Sequence, residues 1–430
     1  MHLYDNNSFY TKEVILMRKA WKKVLTVMAA VAAAGMIAGS MTTFAEDTNE
    51  VTIWLGSWWE GEVDWMTEQF AADNPGYSLK IELQPIANYQ DNATSAILGG
   101  SGPDVLALDT LFLPSMIDQG LLMPLDDFAA ESGLTEDLFT PVLFETGKTD
   151  DGLFALPYRF TCSALYYNKT MFDEAGVEYP GDSMTIPEFL DLAAAMTQNG
   201  KYGYGIAASK NDFANVMTSF VPFLWGEGGD FLTEDMSACA LNTPEAIKGI
   251  EDWVGMYYDG VVPEGCINYA ITADLFPLAM SGEIAMIPMG DSNIVKIDDY
   301  AAENGFEWGV TLHPGYARAA GWSVSIPVSC ENTDGAQTFI KWFLQPDVIS
   351  KNNTVLPAVL AGQDLGKWGD PLYNIYKDQA EFSKNAPQTP FWTQIQLVVV
   401  EELQNALGKT CTPAEAAANM ETRINEVLAG

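Results

Sequence analysis

Histidine is almost missing from this sequence: His2 and His313 are the whole supply in 430 residues. His2 lies in a stretch expected to be removed, so a single histidine is left. Ser-His-Asp, Cys-His and histidine-rich metal machinery are hard to assemble from one imidazole. His313, between Leu312 and Pro314, reads as a structural loop residue. Cysteine is scarce and odd in number: Cys162, Cys239, Cys266, Cys330 and Cys411. No two of them have a metal-binding spacing, and no disulfide framework is indicated, although one pair could be bridged. GxGxxG and GxxxxGK[ST] loops are missing too, so neither a metal nor a cofactor is expected. Positive charge is the other shortage. Against 58 Asp and Glu stand 21 Lys and Arg, a net charge of −37. Such an excess repels phosphate backbones and anionic lipid, and excludes nucleic acid as a natural partner. A solvated acidic surface on an exported protein explains the charge. No repeat, low-complexity tract or flexible linker interrupts the chain.

What is present begins with a leader. Arg18, Lys19, Lys22 and Lys23 precede an uncharged run, "VLTVMAAVAAAGMIAGS", and "TTFA" then meets "EDTNE". Basic, apolar and small residues in that order make an export signal, with cleavage expected after Ala45 and Met17 the better start than Met1. The competing reading is an anchor helix, but the run is at the short edge of a span and only weakly apolar. Ser40 stands where a lipoprotein would have cysteine, so no lipid anchor is supported. An exported protein, periplasmic or at the cell surface, is expected, with residues 1–45 as signal peptide and upstream extension.

The remaining length suits about two domains. "VTIWL" and "SLKIEL" alternate like half-buried strands, and "EVDWMTEQFAADNPG" between them puts Val63, Met66 and Phe70 on one helical face. The strand–helix rhythm repeats through "DVLALD", "SALYYNK", "YGYGIA", "IAMIPMG", "FEWGVTLHPG" and "GWSVSIPVS". Thr185 and Thr243 are placed to cap the helices that follow them. The alternation predicts an α/β protein with central sheets flanked by helices. Two lobes without a linker imply that the chain crosses between them more than once.

Aromatic residues recur where these elements should end: Trp58, Trp59, Tyr158, Trp225, Trp322 and Trp392. Each has a polar neighbour, Glu60, Arg159, Glu227, Ser323 or Thr393. In open α/β sheets ligands bind beyond the carboxyl ends of strands, and a flat ring stacks on the C–H face of a sugar while carboxylates take its hydroxyls. Taken singly, each ring fits a core or rim position equally well. Glu60, Asp109, Glu227 and Asp291 follow predicted strand or helix ends and are candidate ligand groups; Asp109 would serve equally as a helix cap. The pairs Asp126-Asp127 and Asp298-Asp299 read as helix starts and exposed loops rather than a glycosidase dyad. Met286 and Met289 read as core.

The segments "PDVLALDTLFLPSMIDQGLLMPLDDF", "DGLFALPYRFTCSALYYNKTMFDEAGV", "AMSGEIAMIPMGDS", "EWGVTLHPG" and the closing "FWTQIQLVVVEELQNALGKTCTPAEAAANMETRINEVL" resemble, in that order, the family 1 extracellular solute-binding proteins of carbohydrate ABC importers, the maltose-binding-protein-like group. The resemblance implies a two-lobed, type II periplasmic-binding-protein-like fold with the ligand cleft between the lobes. It implies a lobe of residues 51–163 plus 314–352 and a second of 164–313 plus 353–430. It implies a non-catalytic, monomeric receptor whose partners are a carbohydrate, such as an oligosaccharide, and ABC permease transmembrane subunits. Through it, Trp392 in "TPFWTQ" matches a sugar-stacking tryptophan, and Trp392→Ala is expected to weaken binding while sparing the fold. Trp58, Trp59, Glu60 and Asp109 fall in cleft-lining loops, and Gly321, Trp322 and Ser323 occupy another. Asp291 and Ser292 stand where maltose-binding proteins carry a stacking tryptophan, a departure that puts maltodextrin in doubt. A sugar and the opposite lobe are expected to cover Trp58 and Trp59. A polyamine-binding protein also suits aromatics plus carboxylates; a secreted glycosidase and a structural surface protein are the remaining readings.

Overall fold

The computed structural model describes residues 49–85, 88–351 and 354–430. The leader, its basic cluster and the cleavage position lie outside the described residues.

Alternation builds the first strand. In β1 (Glu50–Gly56) Val51, Ile53 and Leu55 are fully buried, while Thr52 and Trp54 are half-exposed. It pairs in parallel with β2 (Ser78–Gln84), from Glu50 opposite Ser78 to Gly56 opposite Gln84. The crossover between them is α1 (Val63–Asp73), which buries Met66 and Phe70. Val63 is only half-buried, so the predicted stripe is narrower than read. The chain leaves α1 at Asn74 and turns at Gly76, whose φ of 101° is a conformation that favours glycine.

Strands β3 (Val105–Asp109), β4 (Leu156–Thr161), β5 (Ser163–Asn168), β6 (Tyr202–Tyr204), β7 (Ile284–Gly290), β8 (Trp308–Thr311), β9 (Ala317–Arg318), β10 (Ala320–Ser325) and β11 (Ser383–Lys384) follow. Two sheets result. The first has the order β2-β1-β3-β10-β4 and the second β8-β5-β7-β6. In the first, β1, β2, β3 and β4 run one way and β10 runs against β3 and β4. Their carboxyl ends therefore share one edge.

Helices cover both sheets. α2 (Ile186–Met196) starts with a complete capping box, Thr185 with Glu188. α3 (Phe213–Gly226) tolerates Pro222 within it. Thr243 caps α4 (Pro244–Tyr258), as its position predicts. α5 (Thr333–Phe343) packs on the first sheet; α6 (Trp392–Leu407) and α7 (Pro413–Ala429) belong to the core of the second. Each sheet has its own apolar core, and a third cluster, with Phe160, Cys162, Ala317, Leu356 and Tyr376, fills the junction where the chain passes between them. The architecture is α/β and two-lobed. The passages are the single residue Cys162 between β4 and β5, the stretch around β9, and the stretch at Leu356, whose carbonyl accepts the N–H of Phe160. All five cysteines are free. Met286 and Met289 are buried in β7, as expected.

Candidate functional site

The strand register places three candidate residues in one row at the shared carboxyl edge. Trp322 lies opposite Asp109 on one side and Arg159 on the other. Residues directly opposite one another project from the same face. Trp58, in the helical turn after β1, folds back onto that row. Its ring meets Trp322 edge-on at 4.5 Å and 72°, and the Arg159 guanidinium lies over it, 4.5 Å from the centroid. Gly56 makes room for this return: a Cβ there would fall 2.1–2.3 Å from three atoms of the Trp58 ring. The Trp58 Nε1 and Arg159 Nη1 are buried and have no hydrogen-bond partner among the described residues.

Asp109 does not cap the next helix, Leu113–Asp118, whose N-cap is Phe112 with no side-chain cap bond. Its carboxylate accepts the Leu111 N–H at 3.0 Å, opening the next turn, and it lies in the field of Arg318 and Arg159. Burial raises its pKa, and those hydrogen bonds and charges only partly offset the rise.

Arg318 is the group that the sequence reading missed. It sits on β9 between the buried Ala317 and Ala319, and its Nε and Nη1 are buried without a partner among the described residues. It faces a cavity of about 190 Å³ at the junction of the sheets, shared with Thr161, Ser163, Asn215, Ser292 and Asn293. The Ser163 hydroxyl is also unpartnered among the described residues. A signal existed: Arg318 is one of four arginines in the chain and is set among alanines, an unusual place for an exposed charge.

Asp291, read as a ligand carboxylate, is committed elsewhere. It is 2% exposed, and both oxygens are taken, one accepting the Thr161 hydroxyl at 2.9 Å and the other the Leu356 N–H at 2.7 Å. It joins the ends of β4 and β7 to the Leu356 passage. Burial pushes its pKa up to about 6 against the pull of those two bonds.

Trp322 also belongs to the first core, 7% exposed and edge-on to Tyr89 at 5.6 Å, and the remaining aromatics divide between two interiors. Trp59 and Tyr158 lie in the first core, where Phe343 of α5 contacts both, at 5.4 Å and 5.3 Å. Neither a guest nor the opposite lobe covers Trp59; its own lobe does. Burial pushes the Tyr158 hydroxyl up to about 12. Trp225 and Trp392 lie in the second core on either side of Phe231, both edge-on, at 6.0 Å and 5.0 Å. The Trp225 Nε1 donates to Asp230 at 3.2 Å. Trp392 is 2% exposed, so its truncation removes core packing, contrary to the expectation of a spared fold. Glu60 is exposed and Glu227 half-buried.

Other groups are structural. Asp126 accepts the Leu153 N–H and Asp298 the Trp308 Nε1–H, neither consistent with a free catalytic pair. His313 accepts the Tyr204 hydroxyl at Nε2 and bonds the Pro314 carbonyl through Nδ1; burial lowers its pKa to about 4. A larger cavity, about 490 Å³, opens on the second lobe beside Glu174, Lys201 and Tyr300, but no residue lining it has a buried unpartnered polar atom among those described. Among the described residues, no group of three or more His, Cys, Asp or Glu could hold a metal ion, and no helix is long and apolar enough to cross a membrane.

Comparison with known proteins bears on the family and the fold. Residues 57–349 match the family model described as bacterial extracellular solute-binding protein. A putative binding protein of Brucella abortus (strain 2308) is 27% identical over 221 residues, and the chain spans about half (51%) of that relative's length. The sn-glycerol-3-phosphate-binding periplasmic protein UgpB of Escherichia coli (strain K12) is 25% identical over 406 residues, covering 85% of this chain and 89% of that one. Among solved structures, an ABC transporter solute binding protein from Thermotoga lettingae, bound with α-D-tagatose, superposes with a TM-score of 0.73 at 25% identity, over 88% of this chain and all of that one.

Proposed function

The chain belongs to the bacterial extracellular solute-binding proteins, and from that premise we propose that it is an exported, monomeric receptor that captures a carbohydrate and delivers it to an ABC permease. The observation that carries the reading is the row of Trp58, Arg159, Trp322 and Asp109 on the shared carboxyl edge, next to the cavity at the passage between sheets. Aromatic faces beside a few fixed polar groups are what an oriented sugar requires.

We take the lobes as 51–163 plus 314–352 and 164–313 plus 353–430. Closure would come from a guest that contacts both, for a ligand moves an equilibrium only by its differential affinity for the two states. The cavity is small beside the ~300–1,000 Å³ usual for ligand pockets, which favours a single sugar unit over a long oligosaccharide in this arrangement of the lobes. The two arginines count against a polyamine. One carboxylate of each pair, Asp126 and Asp298, is bonded within the fold, which counts against a glycosidase.

Thermal shift and calorimetry of the purified protein with mono- and oligosaccharides test the reading. A sugar at a hundredfold excess over its Kd should stabilise by about 2.7 kcal/mol. A melting temperature unmoved by every sugar would overturn it.

A further inference from the structure

The chain has four arginines: Arg18, Arg159, Arg318 and Arg423. Arg423 makes a surface ion pair network with Glu401 and Glu402. Arg159 and Arg318, the other two beyond the leader, converge on the site just described, and among the described residues neither makes an ion pair within 4 Å. In a protein with 58 carboxylates, two guanidiniums without a close carboxylate are a notable placement. Three of their nitrogens, Nη1 of Arg159 and Nε and Nη1 of Arg318, are buried without a hydrogen-bond acceptor among the described residues.

The charges around them are few. Asp109 lies in the field of both arginines, Asp291 in the fields of Arg159 and Lys367, Glu62 in that of Lys367, and the Tyr158 hydroxyl beside Arg159. Three cationic groups therefore share the region with three carboxylates, Asp109, Asp291 and Glu62. Asp291 has both oxygens engaged by Thr161 and Leu356, and Asp109 is turned to the Leu111 N–H. A neutral sugar would leave the buried N–H groups with hydroxyls alone, and a charged donor buried without a strong acceptor is costly. An anionic group supplies both the charge and the acceptor lone pairs, and guanidinium geometry suits carboxylate and phosphate. The remaining wall, with the hydroxyls of Thr161, Ser163 and Ser292 and the amide of Asn215, suits the hydroxylated part of such a guest. The Trp58 ring packs against the Arg159 guanidinium, so part of the cost of ordering that side chain is met before binding.

We propose that the solute is an acidic sugar, one that carries a carboxylate or a phosphate monoester, and that Arg318 and Arg159 take its acid group while Trp58 and Trp322 bound its sugar ring. The inference rests on the carbohydrate reading and narrows it: two of the three arginines beyond the leader stand where the guest's negative charge must sit. It also explains why Asp109 stays in the row. The carboxylate lies in the field of both guanidiniums and supplies part of their counter-charge in the unliganded site.

The test is calorimetry on the purified protein with matched pairs: glucose against glucose 6-phosphate, and galactose against galacturonate. The acid member of at least one pair should bind about tenfold to a hundredfold tighter than its neutral partner, and the preference should shrink as salt rises from about 50 to 300 mM. The pair that shows it distinguishes phosphate from carboxylate. Arg318→Gln should erase the preference, and Arg318→Lys, which keeps charge but loses the planar fork, should retain part of it. Neutral sugars bound as tightly as their acid partners would overturn the inference and leave the carbohydrate reading standing. No binding by any member, nor by neutral oligosaccharides, would overturn both. An Arg318→Gln protein that melts like the parent and keeps its preference would also sink the assignment. Should that variant fail to fold, the pairwise comparison in the unaltered protein decides alone.

Discussion

The guanidinium of Arg159 lies over the indole of Trp58, 4.5 Å from the ring centroid, and that indole stands edge-on to Trp322. Three side chains from β4, β10 and the turn after β1 thus lock one another at the carboxyl edge of a sheet. Trp58→Ala would free Arg159 and remove one face of the site. We expect sugar affinity to fall by about 2 kcal/mol, roughly thirtyfold, while the melting temperature moves by a few degrees at most, since the ring is only half-buried. Titration calorimetry beside thermal melting checks both parts.

Gly56 allows the same effect without touching the tryptophan. Its backbone, φ −70° and ψ 154°, is open to any residue, so only the Trp58 ring objects to a Cβ. Gly56→Ala should expel the indole, reproduce most of the Trp58→Ala binding loss, and cost about 1 kcal/mol in stability. Unchanged affinity in a folded Gly56→Ala protein would show that the return of Trp58 is not needed for binding.

Trp392 gives the opposite pattern. It fills the second core against Phe231, so Trp392→Ala should destabilise the protein by about 3–5 kcal/mol. Urea denaturation measures this. A loss of affinity with stability intact would instead return Trp392 to the ligand site.

Asp291 holds three segments through two hydrogen bonds made by its ionised or protonated carboxyl. Asp291→Ala leaves the Leu356 N–H and the Thr161 hydroxyl without that acceptor, and a cost of about 2–4 kcal/mol is expected. Thr161→Val removes one bond only and should cost about 1 kcal/mol. Equal stability of all three proteins by chemical denaturation would show that this link does not hold the junction.

His313 and Asp291 give acid behaviour of opposite sign. The His313 pKa is lowered to about 4 from 6.5, so the unfolded chain binds the extra proton between those values and stability falls as pH drops through that window. The Asp291 pKa is raised to about 6 from 3.8; there the folded chain binds the proton, and stability rises as pH drops from about 6 toward 3.8. His313→Gln should therefore flatten or reverse the loss of stability between pH 6.5 and 4, by up to about 3 kcal/mol at the acid end. Denaturation midpoints across that range, parent against variant, read the difference; parallel curves would count against a buried neutral imidazole.

Much of the fold was legible because its signals are local. The alternation of Val51, Ile53 and Leu55, the caps at Thr185 and Thr243 and the buried run of β7 are set by neighbours within a few residues, and each element forms where the pattern put it. The site was less legible. Trp58 and Trp59 are adjacent in sequence and looked equivalent, yet one faces Arg159 and the other Phe343. Arg318 gave only a faint signal, its alanine neighbours, because nothing local tells whether a charge on a two-residue strand faces solvent or a cavity.

By itself, then, the sequence determined an α/β chain with strands, caps and an acidic surface, and by its shortage of histidine it left little material for metal or triad chemistry. Which aromatic meets a guest and which meets a core was decided only by tertiary structure. Burial depends on what arrives from elsewhere in the chain: α5 brings Phe343 to Trp59, Phe231 separates Trp225 from Trp392, and the β9 passage carries Arg318 to the edge where Arg159 and Asp109 already stand. A ring's exposure and a cation's missing partner are properties of those long-range meetings, and no stretch of neighbouring residues encodes them.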